Sequence, residues 1–168
     1  MIPNFPLEDE RDDLTDWIYC LDTANIKETA EEQCPSMDVL LLIKRQEKVT
    51  KATIVGGIAF EYYRQAQCGL MSYLIVGNEF RRHGILRSLH PVACEAIQLL
   101  HHEQHNCNTS AKAIFAETNT VEASECTEMI RKRHEILYRL GYRQLAFPYS
   151  QPPLSENSKS FEIGRAHV

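Results

Sequence analysis

The clearest chemistry in the sequence lies in a basic segment, residues 73–89, in which a glycine precedes a helical pattern. Three arginines, a histidine and Gly84 stand where an aliphatic strand pattern passes through a turn into a helical pattern. The first turn of a helix has unpaired backbone N–H groups and the positive end of the helix dipole, which together bind anions. Gly84 lets a phosphate come close to the backbone, and the arginines add charge-assisted hydrogen bonds. The segment predicts a phosphate or diphosphate ligand; a solvated basic turn at a helix start is the alternative.

The same segment resembles motif A of the GNAT superfamily of acyl-CoA N-acyltransferases, which reads Arg or Gln, two residues, Gly, one residue, then Gly or Ala. Arg81, Gly84 and Leu86 occupy these places, and Leu86 departs from the small residue of the family. The resemblance implies an N-acetyltransferase that takes acetyl-CoA as its acyl donor and needs no metal. It also implies which residues bind the donor: Ile75, Val76, Arg81, Arg82, His83, Gly84, Ile85, Leu86 and Arg87.

A second likeness to the GNAT family lies at the end of the last predicted helix, where residues 136–142 read Ile-Leu-Tyr-Arg-Leu-Gly-Tyr. Tyr138 matches the family's tyrosine in position, and the resemblance implies that it protonates the leaving thiolate; a tyrosine that only packs at the sheet edge is the alternative. The acceptor, a small-molecule or peptide amine, must lose a proton, usually to a carboxylate. We expect Glu117 to be this base, with Glu61 and Glu79 as alternatives.

Hydrophobic periodicity predicts the elements that position these residues. An amphipathic helix is expected within residues 8–30, followed by a short helix over 25–33, and strands are expected over 39–44, 52–63, 70–76, 111–117 and 142–149. Gly56 and Gly57 predict a bulge or bend in the second strand.

Two longer helices follow the basic segment and the fourth strand. The first is expected to kink or break at Pro91 and to bury Ile85, Leu89, Val92, Ala96 and Leu100. The second, residues 127–140, is expected to end at a left-handed Gly141 and to bury Ile130, the stem of Arg133, Ile136, Leu137 and Leu140.

The order of these elements predicts one α/β domain with a mixed, mostly antiparallel central sheet and helices on both faces. The resemblance identifies this arrangement with the GNAT fold. A length of 168 residues fits one domain. The last six residues, 163–168, resemble the translation of a sequencing adapter, so we expect the domain to span residues 1–162 and to lack the family's last strand.

Composition and charge exclude several other classes of protein. The chain is 43% apolar but has no apolar run near the ~20 residues of a membrane helix and no signal-peptide pattern. We therefore expect a soluble cytoplasmic protein with no membrane partner. A net charge of −5 gives no expectation of nucleic-acid binding. A homodimer, a non-catalytic acyl-CoA-binding or sensing module, and a nucleotide-phosphate-binding protein stay open as alternatives.

Cysteine and histidine residues are numerous but show no metal-site spacing. The six cysteines include no C-x-x-C pair, which predicts reduced and mostly buried thiols. His101 and His105, with Cys107 nearby, could share a helix face and bind a metal. We expect instead that this polar cluster is the solvated end of a helix.

Overall fold

The computed structural model describes residues 14–23, 35–46, 49–118, 127–146 and 165–167. They fall into two compact units, one formed by residues 31–114 and the other by residues 1–30 and 115–168. The elements in chain order are α1 (Leu14–Thr23), β1 (Ser36–Gln46), β2 (Val49–Tyr63), β3 (Cys68–Val76), a short 3-10 helix (Asn78–Phe80), α2 (Ile85–His105), β4 (Ala113–Thr118), α3 (Thr127–Arg139) and β5 (Arg165–His167).

Three antiparallel strands form the sheet of the first unit, residues 31–114. β1 pairs with β2 and β2 with β3, so β2 is hydrogen-bonded on both sides. β1 is longer than predicted because main-chain pairing carries it beyond its aliphatic residues. Gly56 lies opposite Leu42 while Ile54 lies opposite Ile43, which leaves Val55 as an extra residue. The bulge predicted beside Gly56 is therefore confirmed.

Helix α2 packs on one face of this sheet through residues four positions apart. Its buried residues are Leu89, Ala93, Ile97 and His101. Opposite them, Ile58, Phe60 and Tyr62 alternate along β2 and are fully buried. Gly69 permits this close packing, because a Cβ there would lie 2.8 Å from two carbon atoms of Ile97. Each fully buried large side chain stabilises the unit by roughly 1.5–3 kcal/mol.

The predicted buried face of α2 is wrong in part. Val92 is 48% exposed, whereas Ala93 and Ile97 are buried. The prediction followed apolar residues only, and His101 is polar. The predicted buried face of α2 is therefore displaced by one position after Leu89. The helix also continues through Pro91 without a break. Because Pro91 is exposed, water can reach the carbonyl that the missing proline N–H leaves unpaired.

In the second unit, helix α3 ends in a Schellman cap, as its sequence predicts. Gly141 has φ +106°, and its N–H donates to the Tyr138 carbonyl at 3.1 Å. The N–H of Tyr142 donates to the Leu137 carbonyl at 3.1 Å, and both of these side chains are buried. This pair of hydrogen bonds satisfies carbonyls that the helix end would leave free.

Other predictions for the second unit are confirmed only in part. Ile130 and Leu137 are buried on α3, but Ile136 is 45% exposed because it points about 100° away from Leu137. On α1, within the amphipathic helix predicted over residues 8–30, the apolar residue Ile18 is also exposed. Residues 142–146 contain an isolated bridge at Gln144 instead of a strand. The helix predicted over 25–33 and residues 147–149 lie outside the described residues.

Strand β4 pairs with β5, and the two strands are antiparallel. Ala116, Glu117 and Thr118 lie opposite His167, Ala166 and Arg165, respectively. The hydrogen bonds between these strands join main-chain groups, which every sequence has. A tail that we expect not to be native can therefore form them too. The pairings β1–β2, β2–β3 and β4–β5 are all antiparallel, and the α/β class is confirmed. None of the described helices is long and apolar enough to cross a bilayer.

Candidate functional site

The end of β3 is fixed to its neighbour before the chain turns into α2. The N–H of Gly77 donates to the Val55 carbonyl at 2.9 Å, next to the bulge in β2. The N–H of Phe80 then donates to the Gly77 carbonyl at 2.8 Å and closes the 3-10 helix. A Cβ on Gly77 would lie 3.1 Å from the Phe80 ring, so this tight turn favours glycine. These contacts hold the end of β3 in place, and the basic loop starts from that fixed position.

The loop residues 81–84 place a glycine at the opening of α2. Arg81 is extended, and its Nε donates to the Val76 carbonyl at 3.3 Å. Arg82 has φ +69°, a left-handed conformation that is uncommon for a residue with a side chain. Gly84 is the N-cap of α2 with φ +75°, and a Cβ placed there would meet nothing within 4 Å. The space in front of Gly84 is therefore open.

The helix opening has the properties of an anion site. The Gly84 carbonyl accepts from the Ser88 N–H at 3.1 Å, which begins the helical hydrogen-bond series. The N–H groups of residues 85–87 therefore precede that series, and no side-chain hydrogen bond caps the helix. Its first turn contains no acidic residue. Arg81, Arg82 and Arg87 are exposed around it, so positive charge and open N–H donors coincide.

The predicted donor-binding residues form one continuous stretch of the first unit. Ile75 and Val76 lie opposite Gly57 and Gly56 on β2. His83 is exposed, whereas Ile85 and Leu86 are partly buried. The residues that the resemblance implies therefore lie between the end of β3 and the first turn of α2.

A contribution from Gly56 was missed by the sequence analysis. A Cβ on Gly56 would lie 2.8 Å from the Ile75 carbonyl oxygen and 3.2 Å from Cγ2 of Ile85. The absent side chain therefore lets the end of β3 and the first turn of α2 pack closely on β2. The paired glycines were a visible signal, but it was interpreted only as a bulge.

The predicted acid–base residues have different surroundings. Tyr138 is 63% exposed on α3, and the Arg143 guanidinium lies 4.6 Å from the centre of its ring. Glu117 is partly buried on β4, and Glu79 is exposed in the 3-10 helix. Glu61, on β2, accepts two side-chain hydrogen bonds.

Glu61 lies beside a second bulge, which the sequence did not reveal. Ala59 lies opposite Tyr73 and Phe60 opposite Met71, so Ser72 is the extra residue. The two carboxylate oxygens of Glu61 accept hydrogen bonds from the hydroxyls of Ser72 and Tyr63, each at 2.5 Å. A bulge re-aims side chains and is common next to active sites.

The histidine cluster of α2 is not the solvated helix end that we expected. His101 is 1% exposed, and its Nδ1 lies 2.7 Å from the Tyr62 hydroxyl. Burial lowers the pKa of His101, and the nearby imidazoles of His105 and His102 act in the same direction. Within the described ranges, no three histidine, cysteine or acidic residues are placed to hold a metal ion.

Comparisons with known proteins identify the fold. No protein-family model and no curated protein matches the sequence. A solved structure described as a GNAT-family acetyltransferase from Bacteroides thetaiotaomicron is similar, with a TM-score of 0.59 at 14% identity over 98% of this chain and 72% of that one. The chain has the GNAT fold. Tetrahymena GCN5 aligns with a TM-score of 0.49 at 11% identity over 99% of this chain and 91% of its own.

Proposed function

We propose that this protein is an acyl-CoA-dependent N-acyltransferase that transfers acetyl from acetyl-CoA to an amine. The observation that carries the proposal is the open, uncapped start of α2 behind a left-handed Gly84, surrounded by three exposed arginines. This opening suits a diphosphate, and it follows the third strand of a sheet with the GNAT fold.

In this proposal the basic loop binds the donor. The N–H groups of Ile85, Leu86 and Arg87 hold the diphosphate, while Arg81 and Arg82 add charge-assisted hydrogen bonds. Such hydrogen bonds to charged groups contribute about 1.5–3 kcal/mol each. The pantetheine arm then follows Ile75 and Val76 at the end of β3, where main-chain groups polarise the thioester carbonyl as an oxyanion hole does.

The transfer itself is direct in this proposal, without a protein nucleophile. The amine nitrogen attacks the thioester carbon, the C–S bond breaks, and the thiolate leaves. Tyr138, whose side chain is exposed, supplies the proton that the thiolate takes up. Glu117 removes the proton that the amine loses, with Glu61 and Glu79 as the alternative bases.

Two measurements on the full chain test the proposal. Calorimetry compares coenzyme A with ATP, and we expect coenzyme A to bind more tightly, because ATP offers phosphates without a pantetheine arm. A thiol-release assay with acetyl-CoA and a panel of small amines and peptides then tests turnover. Tighter binding of ATP contradicts the proposal and favours a nucleotide-phosphate-binding protein.

One observation favours a second candidate, a module that binds acyl-CoA without catalysis. Leu86 stands where the GNAT motif carries Gly or Ala, and its side chain is only partly buried at the helix opening. Tyr138→Phe separates the two candidates. Loss of turnover with unchanged coenzyme A affinity supports the enzyme, whereas binding without turnover in the native chain for every acceptor supports the module.

A further inference from the structure

A second group of reactive side chains lies at the far end of α2, about 30 Å from Gly84 by the length of the 21-residue helix. It consists of Tyr62, His101, Cys107 and Thr109, which we call the thiol cluster. Asn106 caps the helix in a left-handed conformation, φ +47°, and so turns the chain back toward His101. The acyl-transfer proposal uses none of these residues.

In the thiol cluster a thiol lies beside a base, and the base lies within hydrogen-bond distance of a third group. The Cys107 Sγ lies 3.5 Å from Nε2 of His101, and the Tyr62 hydroxyl lies 2.7 Å from Nδ1 of the same ring. Thr109 Oγ1 lies 3.1 Å from the sulfur and 3.2 Å from Nε2. A nucleophile within reach of a base that a third group orients is the arrangement of activated nucleophiles.

Solvent exposure within the thiol cluster increases from the tyrosine and the histidine to the cysteine. Tyr62 and His101 are almost completely buried, whereas Cys107 is partly exposed and is a free thiol. A small molecule can therefore reach the sulfur while the base behind it is shielded from water. The loop is also held in place, because the Ala111 N–H donates to Gln98 at 2.8 Å.

The protonation states suit a neutral base. Burial, and to a smaller extent the nearby His105, His102 and Lys112, lower the pKa of His101 and so favour its neutral imidazole. Burial, together with the Cys107 and Cys68 thiols, raises the pKa of Tyr62 and keeps its hydroxyl neutral. In the tautomer with its ring hydrogen on Nδ1, His101 donates to the Tyr62 oxygen and the Nε2 lone pair faces the thiol.

A second observation points to a small polar ligand beside this group. The ring of His105 lies 4.8 Å from that of His101, and its buried Nε2 has no hydrogen-bond partner within the part of the chain that the structure describes. A buried polar atom without a protein partner is uncommon in folded proteins, and an ordered water or a polar ligand commonly satisfies such an atom.

We propose that Cys107 is an oxidation site at which hydroperoxides convert the thiol to a sulfenic acid with His101 as the base. The sulfur attacks one peroxide oxygen, an S–O bond forms and the O–O bond breaks. The thiol proton passes to Nε2 and then to the departing oxygen, which leaves as water from hydrogen peroxide or as an alcohol from an alkyl hydroperoxide. Sulfur is oxidised by two electrons and the peroxide is reduced by two. Thr109 donates a hydrogen bond to the peroxide oxygen that accumulates charge.

The experiment measures peroxide oxidation at each cysteine of the intact, reduced chain. Hydrogen peroxide is added with dimedone, and peptide mass spectrometry gives the rate of sulfenic acid formation at Cys107 and at Cys68. Cys68 is the internal control, since its thiol points to the Ala66 carbonyl at 3.3 Å, which cannot accept a proton as a base. We expect Cys107 to react at least ~100-fold faster at pH 7, the lower end of what a positioned base contributes. Equal rates overturn the proposal.

Two variants separate base assistance from simple exposure. His101→Gln keeps a polar side chain and should lower the Cys107 rate to that of Cys68, while Tyr62→Phe should lower it several-fold by removing the hydrogen bond that orients the ring. Circular dichroism checks that each variant is folded. A folded His101→Gln protein with an unchanged Cys107 rate contradicts the proposal.

The pH profile of the native protein decides the question even if His101→Gln does not fold. An unassisted thiol reacts through its thiolate, and the thiolate fraction rises about tenfold per pH unit below ~8.5. A neutral imidazole accepts the thiol proton during the attack itself and does not require a thiolate beforehand, so the Cys107 rate should be nearly flat from pH 6.5 to 8. A Cys107 profile as steep as that of Cys68 overturns the proposal.

Discussion

The substitution Gly84→Ala separates the conformational role of this glycine from its proposed role in binding. Gly84 has φ +75°, and its Cβ position faces open space. The new methyl group therefore clashes with nothing in the free protein, and the expected loss of stability comes from the left-handed backbone alone. That loss is roughly 1 kcal/mol, or a decrease of about 2–4 °C in Tm for a chain of this length.

The expected effect of Gly84→Ala on ligand affinity is larger than its effect on stability. The methyl group stands where the diphosphate must approach the N–H groups of α2. Loss of one such charge-assisted hydrogen bond costs about 1.5–3 kcal/mol, so the Kd for coenzyme A should rise by ~10- to 150-fold. Calorimetry with pantetheine, which lacks the diphosphate, should show little change.

Gly141→Ala is a matched control for this experiment. Gly141 also has a positive φ, +106°, and open space at its Cβ position, so both variants should lose similar stability. Only Gly84→Ala should lose affinity for coenzyme A. Equal affinities in the two variants, or a Gly84→Ala protein that binds coenzyme A as the native chain does, would refute the placement of the diphosphate.

Three further predictions concern the loop, the acid and the buried histidine. Arg81→Ala should raise the Kd for coenzyme A by ~5- to 10-fold at low salt. The increase should be smaller at 0.5 M NaCl, because salt screens exposed charges. An increase in Kd that does not depend on salt contradicts a role of the Arg81 charge. Tyr138→Phe should lower kcat for thiol release by at least ~100-fold with an unchanged coenzyme A Kd, and an unchanged kcat contradicts the proposed proton donor. Because the pKa of His101 is lowered in the folded chain, the unfolded chain binds this proton more readily, and Tm should fall as pH drops below the ordinary value of 6.5. His101→Gln should reduce that slope; equal slopes in the two proteins contradict it.

Local signals in the sequence predicted the basic loop and the cap of α3 correctly. Gly141 was recognisable because a glycine after a helical pattern supplies the left-handed residue that a Schellman cap requires. The path from β3 into α2 was recognisable because strand, turn, glycine and helix follow one another within a few residues. In both places neighbouring residues determine the backbone conformation.

Features that depend on distant contacts were not predictable from the same patterns. Tyr62 and His101 are 39 positions apart, and nothing in the spacing of either residue indicates the other. His101 was expected in solvent because polar residues at helix ends are usually solvated, yet the hydroxyl of Tyr62 compensates its burial. The role of Gly56 likewise depends on the packing of Ile75 and Ile85 against it, which only the folded chain shows.

The most direct test of the account is a titration of the isotope-labelled chain with coenzyme A, followed by the chemical shifts of its backbone amides. If the start of α2 binds the diphosphate, the largest changes should occur at residues 84–88 and should be much smaller with pantetheine. Saturating coenzyme A that leaves these amides unshifted, or shifts them no more than pantetheine does, would contradict the central claim.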